Sequence, residues 1–232
     1  MSPYRPLPTG PAARARKRVL FCAEAVTLAH VARVAVAAAA LDPTRFEAVI
    51  ACRSELHHLL PAGIRCLPLD SIPSEQFVRA LARGGRVYSL STLRRYVQED
   101  GALIAAEQPD LVVGDFRLSL SVSARLARRP LAAICKAYWS PWAEHTRMPL
   151  PQLPMTRFMP LPWAEALFRA GLPASMAWHA MPVNQLRREF GVLAQGWIGE
   201  EFAYRRQFCR QRVQRLLRAR RRSWRRARAA RV

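Results

Sequence analysis

Between residues 19 and 137, short apolar runs alternate with stretches of helical period, and that alternation leaves few folds open. The runs VLFCA (19–23), FEAVIA (46–51), residues 65–69, LVVGD (111–115) and LAAICKA (131–137) have the length of strands. Their apolar residues run on with little in–out alternation, the mark of strands buried on both faces. AHVARVAVAAAAL (29–41) is rich in the best helix former and stops at Asp42-Pro43. Residues 74–82 open a second helix with Ser-Glu-Gln, and 91–107 place Leu93, Tyr96, Val97, Leu103 and Ile104 on one face. Residues 119–127 read as a further helix. Strand and helix at this spacing predict an α/β fold: a single doubly wound, mostly parallel sheet flanked by helices.

The texture changes after Tyr138. Residues 141–182 hold 8 of the 18 prolines and 5 of the 6 methionines, with Trp142, Trp163 and Trp178. Prolines at that density break regular elements, so long loops and short helices are expected there, with a helix ending over 184–190. Three segments follow: a disordered basic start (1–17), the α/β domain (18–190) and an arginine-rich tail (191–232), helical or disordered.

Charge separates the tail from the rest. The net charge is +21, and residues 191–232 carry 13 basic and 2 acidic side chains of it. Residues 205–232 hold 13 arginines with no lysine and no acid. One reading is an arm that holds nucleic acid or an anionic surface, with Trp224 stacking on a base. A second is a solvated charge run, and a third is out-of-frame translation of GC-rich DNA. The chain has only two lysines, Lys17 and Lys136.

Five cysteines form no C-x-x-C pair, which argues against a disulfide framework or a zinc site and for a reducing, cytoplasmic setting. The apolar stretch 19–41 is broken by Glu24, His30 and Arg33, so no transmembrane segment is expected.

Two polar residues fall where such a sheet places its ligands. His30 stands at the head of the first helix and Asp115 closes LVVGD. With strand order 3-2-1-4-5, strands one and four are neighbours at the topological switch point. The carboxylate would then accept from one imidazole nitrogen and leave the other as a base. Read from spacing alone, a helix-start histidine and a strand-end cap remain the alternatives. The first strand-to-helix turn, AEAVTLAH, has no glycine, so a dinucleotide fingerprint is absent, and so is a phosphate-binding Gly-Lys-Ser/Thr loop.

The segments 19–52, SIPSEQF (71–77) and PDLVVGDFRLSLSVSARLARRPLAAICKAYWSP (109–141) resemble the N-terminal, acceptor-binding half of a GT-B fold glycosyltransferase, in the UDP-glycosyltransferase superfamily. The resemblance spans roughly 18–190 and implies a Rossmann-like domain. It implies His30 as the base that deprotonates an acceptor hydroxyl, Asp115 as its partner, and inverting transfer from a nucleotide sugar. The acceptor implied is small and lipophilic or hydroxylated. Ala29 stands where the family usually has Gly. The family's second, donor-binding domain has no counterpart in residues 191–232. The expectation is therefore acceptor binding without turnover by this chain alone. No cofactor is expected, since the nucleotide sugar belongs with the second domain, and a separate donor-domain chain is the implied partner.

Tyr138, Trp139 and Trp142, with His145 beside them, follow the fifth strand. They read as an aromatic wall for a flat acceptor or as core closure. Arg117 and Ser119 read as orienting Asp115 or capping the next helix, with Ser119 favoured as a cap. His57 and His58 are adjacent and do not share a helix face, which argues against a metal pair.

Overall fold

The computed structural model describes residues 15–135, 150 and 154–193. The start and the arginine tail from 194 on lie outside the described residues. The chain divides into two compact units. The described residues of the first are 15–134 and 181–193, and those of the second are 135, 150 and 154–180.

The first unit holds a five-stranded, all-parallel sheet in the order β3-β2-β1-β4-β5. The strands are β1 (Lys17–Ala23), β2 (Phe46–Cys52), β3 (Arg65–Pro68), β4 (Leu111–Asp115) and β5 (Leu131–Ile134). The helices are α1 (Leu28–Ala39), α2 (Ser74–Ala82), α3 (Leu90–Glu107) and α4 (Leu120–Leu126). The predicted fold class is the one observed.

The central strands are apolar through their middles because each feeds two cores. Val19, Phe21 and Ala23 of β1 pack with Ile50, Cys52 and Val113 against Val31, Val34 and Ala38 of α1. The alternate residues Leu20 and Cys22 pack with Val49, Ala51 and Val112 against Ile104 of α3 and Leu120 and Ala124 of α4. Period two along one strand thus serves helices on opposite faces.

Gly114 of β4 has a steric reason. A Cβ there would stand 2.7 Å from Leu120 Cδ1, and Leu120 is fully buried. Helix α3 starts at Ser89, whose Oγ accepts from the Thr92 amide at 3.1 Å. It ends on Gln108 in the left-handed region at φ 46°. Near the N-terminal end of β1, Arg18 makes a bidentate pair with Glu47 (2.9 and 3.0 Å) and reaches Glu107 at 3.1 Å. Arg65 of β3 also pairs with Glu107.

The proline-rich region departs from expectation. Leu161–Glu189 is one helix, α5, of 29 residues, and it contains Pro162, Pro173 and Pro182. Pro162 occupies the second helical position, where its missing N–H has no intrahelical acceptor to lose. Pro173 and Pro182 each remove one backbone bond from a ladder long enough to keep the rest. The residues between them are mostly Ala, Leu, Met and Arg, which favour the helix. Residues 161–180 of α5 belong to the second unit and 181–189 to the first. Within the first unit Arg94 of α3 grips Glu189 through two bonds of 2.7 and 2.8 Å, and Val183 and Leu186 are buried.

All four cysteines among the described residues are free thiols. No helix among the described residues is long and apolar enough to cross a membrane.

Candidate functional site at the β1–β4 crevice

β1 and β4 run side by side with Ala23 opposite Asp115, and the Glu24 amide donates to the Asp115 carbonyl at 3.0 Å. The carboxyl ends of these strands form the switch point, because the chain continues outward from β1 through β2 on one side and from β4 through β5 on the other. The turn after β1 brings the chain to Thr27, which is extended, and α1 begins one residue later. His30 therefore sits in the first turn of α1, directly above the end of β4.

There the histidine and the aspartate meet. His30 Nδ1 lies 2.7 Å from Asp115 Oδ1, with the imidazole 13% exposed and the carboxylate 1% exposed. A third side chain joins them. Arg33 Nε donates to Asp115 Oδ2 at 2.7 Å and its Nη2 to Oδ1 at 2.7 Å, a side-on bidentate pair. The same Nη2 is 3.0 Å from His30 Nδ1. In the sequence Arg33 registers only as a charge within an apolar run. The signal that identifies it is its spacing: three residues after His30 on one helix, it shares that residue's face.

Phe116, the residue after Asp115, is also part of the site. Its φ is 58°, a left-handed conformation that costs a bulky residue about 1–2 kcal/mol. The bend carries its ring to 5.1 Å from the His30 ring, between centroids, and to 5.7 Å from Phe77 of α2. Tyr88 lies 6.3 Å away. One side of the imidazole is therefore aromatic and the other ionic. Nothing in the sequence marks a phenylalanine for positive φ.

Arg117 corrects an expectation. It does not orient Asp115, but enters a buried hub with no exposed side-chain surface of its own. It binds Glu24 at 3.1 Å, Asp100 at 2.9 Å and Glu99 at 2.8 Å, and also the Asp70 carbonyl. Its guanidinium stacks 3.6 Å from the centre of the Tyr96 ring, and Tyr96 donates to Glu24 at 3.0 Å. Ser119 precedes α4 but its hydroxyl does not cap it; the hydroxyl donates to Asp100 at 2.6 Å. The cap is expected because Ser at a helix start usually accepts from an amide of the first turn; that geometry needs extended backbone, and Ser119 is itself helical at φ −60°, ψ −27°.

The hub ties the three loops that frame the crevice, after β1, β3 and β4, to α3. Burial pushes the Glu24 and Asp100 carboxyls up from their ordinary range, and Arg117 opposes that push. Burial likewise pushes the Cys22 thiol up.

The other sequence candidates divide. Tyr138, Trp139, Trp142 and His145 lie outside the described residues. His57 Nε2 stands 3.2 and 3.1 Å from the carbonyls of Cys52 and Leu67, so it donates to both and ties a 3-10 turn to β2 and β3. Among the described residues no group of three His, Cys, Asp or Glu side chains is placed to hold a metal ion.

An open parallel sheet with a His–Asp pair over its switch point defines an α/β, Rossmann-like domain. Comparison with known proteins narrows the class. The chain is 47% identical over 189 residues to a PGL/p-HBAD biosynthesis rhamnosyltransferase of Mycobacterium bovis BCG, covering 81% of this chain and 41% of that protein. It is 45% identical over 188 residues to an inactive PGL/p-HBAD biosynthesis glycosyltransferase of the same organism, covering 81% and 51%. A spinosyn forosaminyltransferase of known structure is 18% identical with a TM-score of 0.45, over 77% of this chain and 43% of its own. No family model matches. The chain is a partial homologue of glycosyltransferases, and it spans about half the length of the curated relatives it matches.

Proposed function

We propose that residues 18–190 form the acceptor-binding domain of an inverting, nucleotide-sugar-dependent glycosyltransferase. His30 is its base and Asp115 the partner that orients and steadies the base. The observation that carries this reading is the 2.7 Å approach of Asp115 to Nδ1, which leaves Nε2 as the nitrogen that takes a proton. On that reading Nε2 removes the hydroxyl proton of the acceptor as its oxygen attacks the anomeric carbon. The nucleotide diphosphate leaves from the opposite side. Asp115 stabilises the imidazolium that forms, and Phe116 with Phe77 offers an apolar flank to a small acceptor.

The nucleotide sugar is a substrate bound elsewhere. The turn after β1 lacks the glycines that let backbone approach a pyrophosphate, so we assign donor binding to a partner polypeptide. The relatives' names point to PGL/p-HBAD biosynthesis as the first source of acceptors to try. Tyr138, Trp139, Trp142 and His145 remain proposed acceptor contacts. The free thiols support a reducing, cytoplasmic setting.

Because one relative of nearly equal identity is named inactive, turnover has to be measured. The chain is incubated with a panel of nucleotide sugars and hydroxylated acceptors, alone and with extract of its native host. Sugar transfer that requires this chain supports the proposal. A chain that binds no acceptor and adds nothing to transfer by the extract contradicts it.

A further inference from the structure

We propose that Arg33 is a positioning residue of this site, clamping Asp115 so that the neutral His30 ring carries its proton on Nδ1. The inference deepens the reading of His30 as base and rests on it. Three atoms decide it: Arg33 Nη2, His30 Nδ1 and Asp115 Oδ1, with separations of 2.7, 2.7 and 3.0 Å. If Nδ1 carried a lone pair, it would accept from Arg33 but face a carboxylate oxygen at 2.7 Å, acceptor against acceptor. With the proton on Nδ1, both Nδ1–H and Nη2–H have Oδ1 as acceptor, and the only unfavourable contact is the longer one between donors. The imidazole proton therefore belongs on Nδ1, and the lone pair on Nε2.

The groups facing the ring are Asp115 from β4, Arg33 from its own helix, and the Phe116 ring. Arg33 also fixes both carboxylate oxygens, so the imidazole has one orientation in which to dock.

The test is long-range ¹H–¹⁵N spectroscopy of the full chain with labelled histidine. The chain has five histidines, and His30 is assigned by the signal missing from His30→Gln. His57, which donates from Nε2 to two carbonyls, is the internal standard for the opposite tautomer. The neutral His30 ring is expected to carry its proton on Nδ1. In Arg33→Met the carboxylate is free to turn, and the neutral ring is expected to show a mixture of Nδ1–H and Nε2–H forms. Arg33→Lys, which restores the charge without the fork, should recover the single form only in part. Arg33→Gln serves if the methionine variant does not fold. An Nε2–H neutral ring in the native chain overturns the proposal, and so does a tautomer ratio that is unchanged in Arg33→Met. The measurement needs no donor and no turnover, so it can fail while His30 remains the base, or succeed where transfer does not depend on His30.

Discussion

At the scale of single residues, the crevice is a lesson in what spacing can and cannot carry. His30 and Asp115 were readable because strand ends and helix starts are where an open α/β sheet presents polar groups, and both fall at such punctuation. Arg33 and Phe116 were not. A long charged side chain near a helix start is ordinarily solvated, and only the contact with Asp115 shows otherwise. Positive φ at Phe116 is imposed by the turn that follows β4, with no glycine to announce it. Arg117 misleads, because an arginine two residues from an aspartate suggests that pair before a hub joining α3 to the turns after β1 and β3.

Two predictions belong here. Arg117→Met leaves Glu24 and Asp100 buried without their counter-charge and should cost about 3–5 kcal/mol, read from urea denaturation. Glu24 and Asp100 are both raised by burial, so the folded chain holds their protons more tightly than the unfolded chain. The stability they add is complete below the unfolded carboxyl value, about pH 4, and is lost as pH rises through the folded values. Asparagine does not titrate. The stability of the native chain relative to Asp100→Asn should therefore fall as pH is raised from 4 to 7; a rise would show that Arg117 outweighs burial.

At the scale of elements, the sheet and its helices followed from period and composition, while the proline-rich stretch did not. The strands were readable because burial on both faces demands apolar residues without interruption, and little else in a soluble domain does. In α5 the usual inference from proline fails, since two interior prolines forfeit two bonds among many, and the alanine-rich sequence holds the helix across them. Gly114 is the element-scale constraint on the site, because it lets α4 pack closely over the strand that ends in Asp115. Gly114→Ala should force Leu120 from its rotamer and cost about 1–3 kcal/mol, measured by thermal or urea melts. If the variant is as stable as the native chain, the approach of α4 is not limited by that contact.

At the scale of the whole molecule, parallel order β3-β2-β1-β4-β5 places the ends of β1 and β4 together, and everything proposed for His30 follows from that adjacency. The chain spans 41–51% of its relatives' lengths, and the half of the chemistry proposed for it is the base and the acceptor side. The charge of the tail, which dominates composition, bears on none of this. The comparisons favour a glycosyltransferase over a basic binding module.

The central claim, that His30 oriented by Asp115 is the base of a sugar transfer, is tested most directly by transfer rates. Native chain, His30→Ala and Asp115→Asn are compared under conditions where the native chain supports transfer, with acceptor binding measured alongside. His30→Ala should lower the rate about 10²- to 10⁴-fold while the acceptor still binds, and Asp115→Asn should lower it as well. Transfer by His30→Ala at the native rate would contradict the account.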